Sequence, residues 1–430
     1  MSDKRLNITM SGKVVAWIWV DKIEETYKFE YSDEWIKNGY GVSPHLQLNE
    51  SLKSGTVRRF LQNLIPEGKG LEDITQFAHI SKNNTFAIIK AIGYDTSGAL
   101  MFGEYTNNQE AIFRAITDDE LANRITNIEE SSIVIWDKKE RLSLAGVQEK
   151  LPVIIKNEQI GLGDGLLSST HIMKFQTAKH ANIVVNELFC MKLAKKINLN
   201  VAEVELYRFK EHPVLMVKRF DRVYRENRVE RLHVIDGCQM LDLSSTHKYE
   251  RNFGSGRDVQ DIREGASFAK LFKSADICEV PAKAKLEMLN WSVFNLIVGN
   301  SDAHGKNFSF FVNERGIRPT PFYDILCIMA HENVEHDLAM AYGDEFNPDE
   351  VKAYQLREFA DAIGLNFKLV SQSIDKIASL IIKALKNDIL NMGDFNDKEK
   401  LFVDKLRVLI LQRAEIFKSR ASEMGSISYE

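Results

Sequence analysis

Asp302, Asn307 and Asp324 are the residues whose types and spacing point most directly to chemistry in this 430-residue chain. The first two stand in Gly299-Asn300-Ser301-Asp302-Ala303-His304-Gly305-Lys306-Asn307, and the third follows Tyr323. Phosphoryl transfer needs a carboxylate to orient and deprotonate an accepting hydroxyl, and further oxygens to hold Mg2+ against phosphates. Asp302 and Asn307, in a loop leaving a helix, have the spacing of a kinase catalytic loop. The runs Phe308 to Val312 and Ile317 to Thr320 around Asn313-Glu314-Arg315-Gly316 predict a β-hairpin, which returns Asp324 to the side of Asn307. Three oxygen ligands then converge. A metal set of Asp302, His304, His331 and His336 is the competing reading, and the two later histidines do not share a helix face as an i, i+4 pair would.

Such a site also needs a cation on the nucleotide phosphates and a loop over them. Lys174, on the predicted strand Ile172 to Phe175, is the candidate cation, and Glu187 on the following helix can pair with it. Three glycine-containing segments can cover phosphates: 143–150, Gly161 to Gly165, and Phe253 to Gly256. Position favours the first, directly before the run Leu151 to Ile155; Gly161 to Gly165 reads as a plain turn. None is followed by the GK[ST] of a Walker motif. Lys218-Arg219-Phe220 ends another predicted strand, whose backbone groups can meet an adenine edge while Phe220 packs on the base.

The elements that must position these residues change along the chain. The first hundred residues mix short β-rich runs, Val14 to Val20, Tyr27 to Tyr31 and Ala99 to Tyr105, with one helical stretch, Thr56 to Leu64. After a polar stretch, Thr117 to Ser132, come further strands at Ile133 to Trp136, Leu151 to Ile155, Ile172 to Phe175 and Val214 to Phe220, with a helix over Ile183 to Lys196. Beyond about residue 222 helical periodicity takes over, Pro281 opening a helix that runs to Val298, and the hairpin is the exception. A β-rich half followed by a helical half predicts an α+β fold of two lobes with a cleft between them.

Composition excludes several classes. With 44% hydrophobic and 27% charged residues the chain is globular, and its formal charge of −5 lacks the basic surface of a protein that holds duplex DNA by itself. The four cysteines form no CxxC pair, so neither a zinc site nor a disulfide framework is indicated. The early run VVAWIWV is too short for a membrane span and predicts a buried strand, which places the chain in the cytoplasm.

Taken in order, FLQNLIPEG (Phe60 to Gly68), IGYDTSGAL (Ile92 to Leu100), RLSLAGVQEK (Arg141 to Lys150), THIMKF (Thr170 to Phe175), VKRFDR (Val217 to Arg222), VGNSDAHGKNFSFF (Val298 to Phe311) and TPFYDI (Thr320 to Ile325) resemble the HipA family of toxin-antitoxin protein kinases. The resemblance implies a bilobal protein-kinase-like fold: an extra N-terminal α/β module over 1–110, a β-rich N-lobe over 111–221 and a mainly helical C-lobe over 222–430. It also implies an ATP-dependent serine/threonine kinase whose activity arrests growth and favours drug tolerance, with an aminoacyl-tRNA synthetase or another translation component as acceptor. Asp302 then corresponds to the catalytic base, and Asn307 and Asp324 to the Mg2+ ligands. Ala145, Gly146, Val147, Gln148, Glu149 and Lys150 correspond to the phosphate loop, and Lys174 to the phosphate-contacting lysine. Lys218, Arg219 and Phe220 correspond to the adenine hinge, with His304 and Tyr323 among the nucleotide contacts.

The partner implied is a small DNA-binding antitoxin of the HipB type. The acidic segment Gly343 to Tyr354 lacks the lysine cluster with which the best-known member touches DNA, so operator DNA is reached through the antitoxin. Lys218 also stands where that member has an acidic residue. Ser143 is similar to the serine that the family autophosphorylates; a phosphate there adds about −1.5 to −2 charge beside the phosphate loop. It would compete for Lys150 and the loop N–H groups and switch the kinase off. Two other functions stay open, a small-molecule or lipid kinase and a non-catalytic co-repressor scaffold.

Overall fold

The structure is a computed structural model that describes residues 5–21, 23–103, 110–141, 148–226, 228–387 and 393–427. Ser143, Ala145, Gly146 and Val147 lie outside the described residues. The fold is α+β, in two compact units: 1–181, 207–235 and 310–316 form one, 182–206, 236–309 and 317–430 the other.

The first unit is β-rich. Its four-stranded antiparallel sheet runs in the order Thr26–Tyr31, Lys13–Asp21, Leu6–Met10, Met101–Phe102. The run VVAWIWV is the middle of a strand with Val15, Ala16 and Ile18 fully buried, the outcome its β-branched and aromatic residues predict. A six-stranded sheet runs Val204–Phe209, His212–Lys218, His171–Lys174, Lys150–Lys156, Gln159–Gly165, Ala111–Ala115. Its outermost strand, Val204–Phe209, carries the chain in from the second unit.

Three readings of this unit are corrected. Gly161 to Gly165 is no turn but part of the strand Gln159–Gly165. A Cβ on Gly163 would lie 2.4 Å from the Leu167 carbonyl oxygen, so glycine there answers a close approach of backbone rather than a bend. The N-terminal module carries three further helices, Asp33–Asn38, Gly68–Phe77 and Thr85–Ile92, and the polar stretch after residue 117 holds another, Asp118–Thr126, capped by Thr117 and opened by three acidic residues. Strands also continue past residue 222, at Arg222–Arg225, Arg228–Arg231 and Val234–Asp236.

The second unit is helical. Ile183–Lys196 follows the sequence reading, and Pro281–Val298 begins on its proline and stops at Gly299, whose φ of 76° is the left-handed conformation that ends helices. Phe367–Lys386 and Asp397–Glu423 pack against each other and against Pro281–Val298. Val370, Ile374, Ile377 and Ile381 recur on one face at helical spacing and are buried, each worth about 1.5–3 kcal/mol relative to exposure. Phe268, Trp291, Tyr342 and Phe359 form an aromatic cluster with ring centroids 4.8–6.2 Å apart. The predicted hairpin forms from Ser309–Asn313 and Gly316–Pro319, of which 310–316 belong to the first unit. Among the described residues no helix is long and apolar enough to cross a membrane, and all four cysteines are free and buried.

Candidate active site

In the second unit the loop after Gly299 is held by its own backbone. Asn300 N–H donates to the Asn295 carbonyl at 2.9 Å, His304 N–H to Asp302 at 2.8 Å and Asn307 N–H to His304 at 2.9 Å. The Asn307 side-chain amide donates to the Asp302 carbonyl at 3.0 Å, drawing together the two residues that sequence spacing had paired. Asn300 Nδ2 reaches the Asp324 carbonyl at 3.5 Å, and the charge of Asp324 bears on His304. Asp324 itself takes φ of 58°, a left-handed conformation that Asp tolerates better than most residues. The loop and the segment after the hairpin therefore meet through Asn300 and Asp324.

Neighbouring segments fix the loop further. Gly305 N–H donates to the Lys248 carbonyl at 2.9 Å, and a Cβ on Gly237 would lie 2.4 Å from the Gly305 carbonyl oxygen. Lys306 is buried and pairs with Asp236 at 2.7 Å, while the Tyr323 hydroxyl donates to the Lys306 carbonyl at 2.6 Å and shares a 2.7 Å bond with Ser309 Oγ. Burial, and then the Lys248 ammonium, hold His304 well below its usual range, so this histidine is neutral at pH 7.

Two residues unmarked by sequence act on this loop. The Tyr249 hydroxyl donates to Asp302 Oδ1 at 2.7 Å, and its ring stands edge-on to His304 at 5.2 Å. Arg413, buried on Asp397–Glu423, donates through Nε and Nη2 to the carbonyls of Ile297 and Leu296, at 3.2 and 2.8 Å, and through Nη1 to Asp349. It satisfies the Ile297 carbonyl and adds a second bond to the Leu296 carbonyl, which also accepts from Gly299 N–H, at the end of the helix that delivers the loop, where a cation is also favoured by the helix dipole. Helical periodicity marks Arg413 as one more polar residue; only its burial reveals the role.

In the first unit Lys174 and Lys150 face each other directly across the antiparallel ladder, and both are buried. Opposed positions put both side chains on one face of the sheet. The end of the expected phosphate loop is tied to the same strand: Gln148 Nε2 donates to the Phe175 carbonyl at 3.1 Å, and Phe175 N–H to Glu149 at 3.0 Å. Burial raises the Glu149 carboxyl. Lys218 is exposed, and Phe220 packs edge-on against Phe311 with centroids 5.8 Å apart. Arg219 differs from its neighbours: its N–H is engaged by the Thr170 carbonyl at 2.9 Å and its guanidinium is buried, so its side chain does not face a base.

Within the second unit, Asp302, Asn307 and Asp324 are oxygen donors of the kind Mg2+ takes. Asn300 Oδ1 and His304 Nδ1 are buried and, among the described residues, lack a hydrogen-bond partner, a condition a polar ligand relieves. No group of three or more His, Cys, Asp or Glu that could hold a metal occurs among the described residues. His331 instead contacts Asn186 and Phe402, and His336 the His331 carbonyl, so the histidine metal set does not assemble. Mg2+ needs no such cage, since it is commonly held by one or two side chains, waters and the substrate phosphates.

Comparison with known proteins covers nearly the whole chain. Residues 6–103 match the HipA N-terminal domain and residues 142–387 the HipA-like C-terminal domain. The serine/threonine-protein kinase toxin HipA of Shewanella oneidensis is 40% identical over 425 residues, 98% of each chain, and the putative kinase Y4mE of Sinorhizobium fredii is 30% identical over 95% of this chain and 96% of its own. The solved complex of Shewanella oneidensis HipA with HipB and operator DNA contains a chain that matches with a TM-score of 0.91 and 40% identity, over 99% of this chain and 100% of that one. Fold and likeness together define a serine/threonine protein kinase. The chain belongs to the HipA family.

Proposed function

We propose that the chain is the toxin of a type II toxin-antitoxin pair, a cytoplasmic kinase that moves the γ-phosphoryl group of ATP to a serine or threonine of a translation component, such as an aminoacyl-tRNA synthetase. The observation that carries the site assignment is the bond from the Asn307 amide to the Asp302 carbonyl. It makes base and metal ligand one unit. Asp302 takes the acceptor's proton, and Asn307 and Asp324 offer oxygens to Mg2+. Lys150 and Lys174 meet phosphate oxygens, with Ala145 to Glu149 as the covering loop. ATP with Mg2+ supplies the transferable group and neutralises the charge that grows on its oxygens.

Adenine, in this reading, meets backbone groups of Lys218 and Phe220, the Arg219 N–H being committed to Thr170. His304 and Tyr323 complete the nucleotide surroundings. The Shewanella relative was solved with HipB and operator DNA, which supports a HipB-type antitoxin as the partner here. The net charge of −5 supports operator contact through that partner. Autophosphorylation at Ser143 is the proposed off-switch. Phosphoproteomics after expressing the wild type or Asp302→Asn, without antitoxin, tests the kinase activity, its acceptor and the phosphorylation of Ser143. Acceptor sites and a Ser143 phosphate present only with the wild type are expected, and equal growth arrest by both chains would overturn the kinase-toxin reading.

A further inference from the structure

The segment IGYDTSGAL has no part in the site described so far, yet it makes a dense set of polar contacts within the first unit. Asp95 Oδ1 lies 3.1 Å from Arg222 Nη2 and 3.4 Å from Arg219 Nη1, with Arg231 at 4.0 Å. The other oxygen of Asp95 accepts from Ser169 N–H at 2.9 Å. The Thr96 carbonyl accepts from Arg222 and Arg219 at 2.6 and 3.2 Å, and the Tyr94 carbonyl from Arg231 at 2.6 Å. Gly98 accepts from Arg222 at 2.8 Å and donates to Asp221 at 2.8 Å. Arg219 and Arg222 have side-chain exposures of 2% and 0%.

These contacts converge on the residues that border the hinge. Arg219 spends its guanidinium on Asp221 at 2.9 and 3.0 Å, on Ser169 Oγ at 2.8 Å and on Asp95, while its N–H bonds Thr170. Its side chain and its backbone are therefore both anchored, in part by the adjacent residues Ser169 and Thr170. The peptide groups on either side of Arg219 belong to Lys218 and Phe220, so their direction follows from where the guanidinium is anchored. Gly98 allows the close approach: its φ is 77°, and a Cβ would lie 2.8 Å from the Val234 carbonyl oxygen. Three arginines against two aspartates leave the cluster one positive charge in excess. Asp95 therefore holds two buried guanidinium groups in place rather than adding a spare contact.

We propose that Asp95, contributed by the N-terminal module, is a positioning residue for base selection: by anchoring Arg219 it sets the backbone of Lys218 and Phe220 that meets adenine. This rests on the hinge assignment above. Changing Asp95 should loosen recognition of the base and leave the phosphate contacts of Lys150 and Lys174 as they are.

The test measures binding by calorimetry in the full-length Asp302→Asn chain, which does not consume nucleotide. Mg·ATP, Mg·ITP and Mg·tripolyphosphate are compared with Asp95 intact, with Asp95→Asn and with Ser169→Ala, which removes one bond of Arg219. ITP replaces the exocyclic amine of adenine by a carbonyl and so inverts the edge presented to the backbone. We expect Asp95→Asn to weaken ATP roughly tenfold, to bring the ATP-to-ITP ratio near one and to leave tripolyphosphate unchanged, with Ser169→Ala shifting the ratio in the same direction by a few-fold. An unchanged ratio in Asp95→Asn would overturn the inference. If that variant does not fold, an unchanged ratio in Ser169→Ala overturns it instead. Equal binding of ATP and ITP with Asp95 intact would fell the hinge assignment itself, a separate result.

Discussion

The phenol of Tyr249 donates a hydrogen bond to the carboxylate of Asp302, 2.7 Å from Oδ1. A carboxylate that serves as base is effective only when it is held in one orientation, and in the proposed role of Asp302 this bond restrains its carboxylate. Tyr249→Phe keeps the ring contact with His304 and loses the bond, worth about 1.5–3 kcal/mol to a charged group. A roughly tenfold fall in kcat with unchanged ATP affinity is expected from steady-state kinetics. A rise in kcat would show that the phenol blocks the acceptor instead.

Asp302→Asn should remove transfer while sparing the fold, because loss of a general base costs about 10²- to 10⁴-fold. Its backbone carbonyl, the acceptor for Asn307, is retained. Phosphate incorporation and circular dichroism on the same sample check both halves of the statement. Residual activity within a few-fold of the wild type would mean that the base lies elsewhere.

Arg413→Met should destabilise the second unit by about 2–4 kcal/mol, since it leaves the Leu296 and Ile297 carbonyls buried without the guanidinium. Hydrogen exchange of amides 296–304 should quicken more than exchange in Phe367–Lys386. Uniform quickening across both would assign Arg413 a packing role only.

Acid should weaken the first unit through His233, which burial holds at about 4, its Nε2 meeting the Val42 carbonyl at 2.8 Å. The unfolded histidine binds a proton near pH 6.5 while the folded one stays neutral to about pH 4. The unfolded state therefore gains protons first, and stability falls with pH. This contribution is intact above about 6.5 and declines by about 3 kcal/mol as pH drops to 4. Denaturation midpoints across that range should fall less steeply for His233→Gln than for the wild type, and parallel curves would refute the assignment.

The catalytic-type loop and its hairpin were legible in sequence because spacing along one short segment determines them. Asp302 and Asn307 sit on one turn of backbone, and the apolar runs on either side of Gly316 have the period of strands. The helices Gly68–Phe77 and Thr85–Ile92 were not legible, the first opening on two glycines and lacking a side-chain cap, the second on a β-branched run that reads equally as strand. Gly161 to Gly165 misled for a different reason, since glycine marks both turns and strands crowded by a neighbour. The contacts of Arg413 with Leu296 and Ile297, of Tyr249 with Asp302, and of Arg219 with Asp95 and Thr96 are long-range. Partners more than fifty residues apart leave no periodicity to read.

The cluster around Asp95 also limits how this chain can be recombined. Its hydrogen bonds and ion pairs are supplied jointly by residues from 94–98, Ser169 and 219–231, so no one segment carries a complete complement of donors and acceptors. A hybrid that takes the N-terminal module from one relative and the hinge from another would bring together half-sets of opposite origin. Exchange of modules within this family should therefore succeed only when the two stretches travel as a single inheritance.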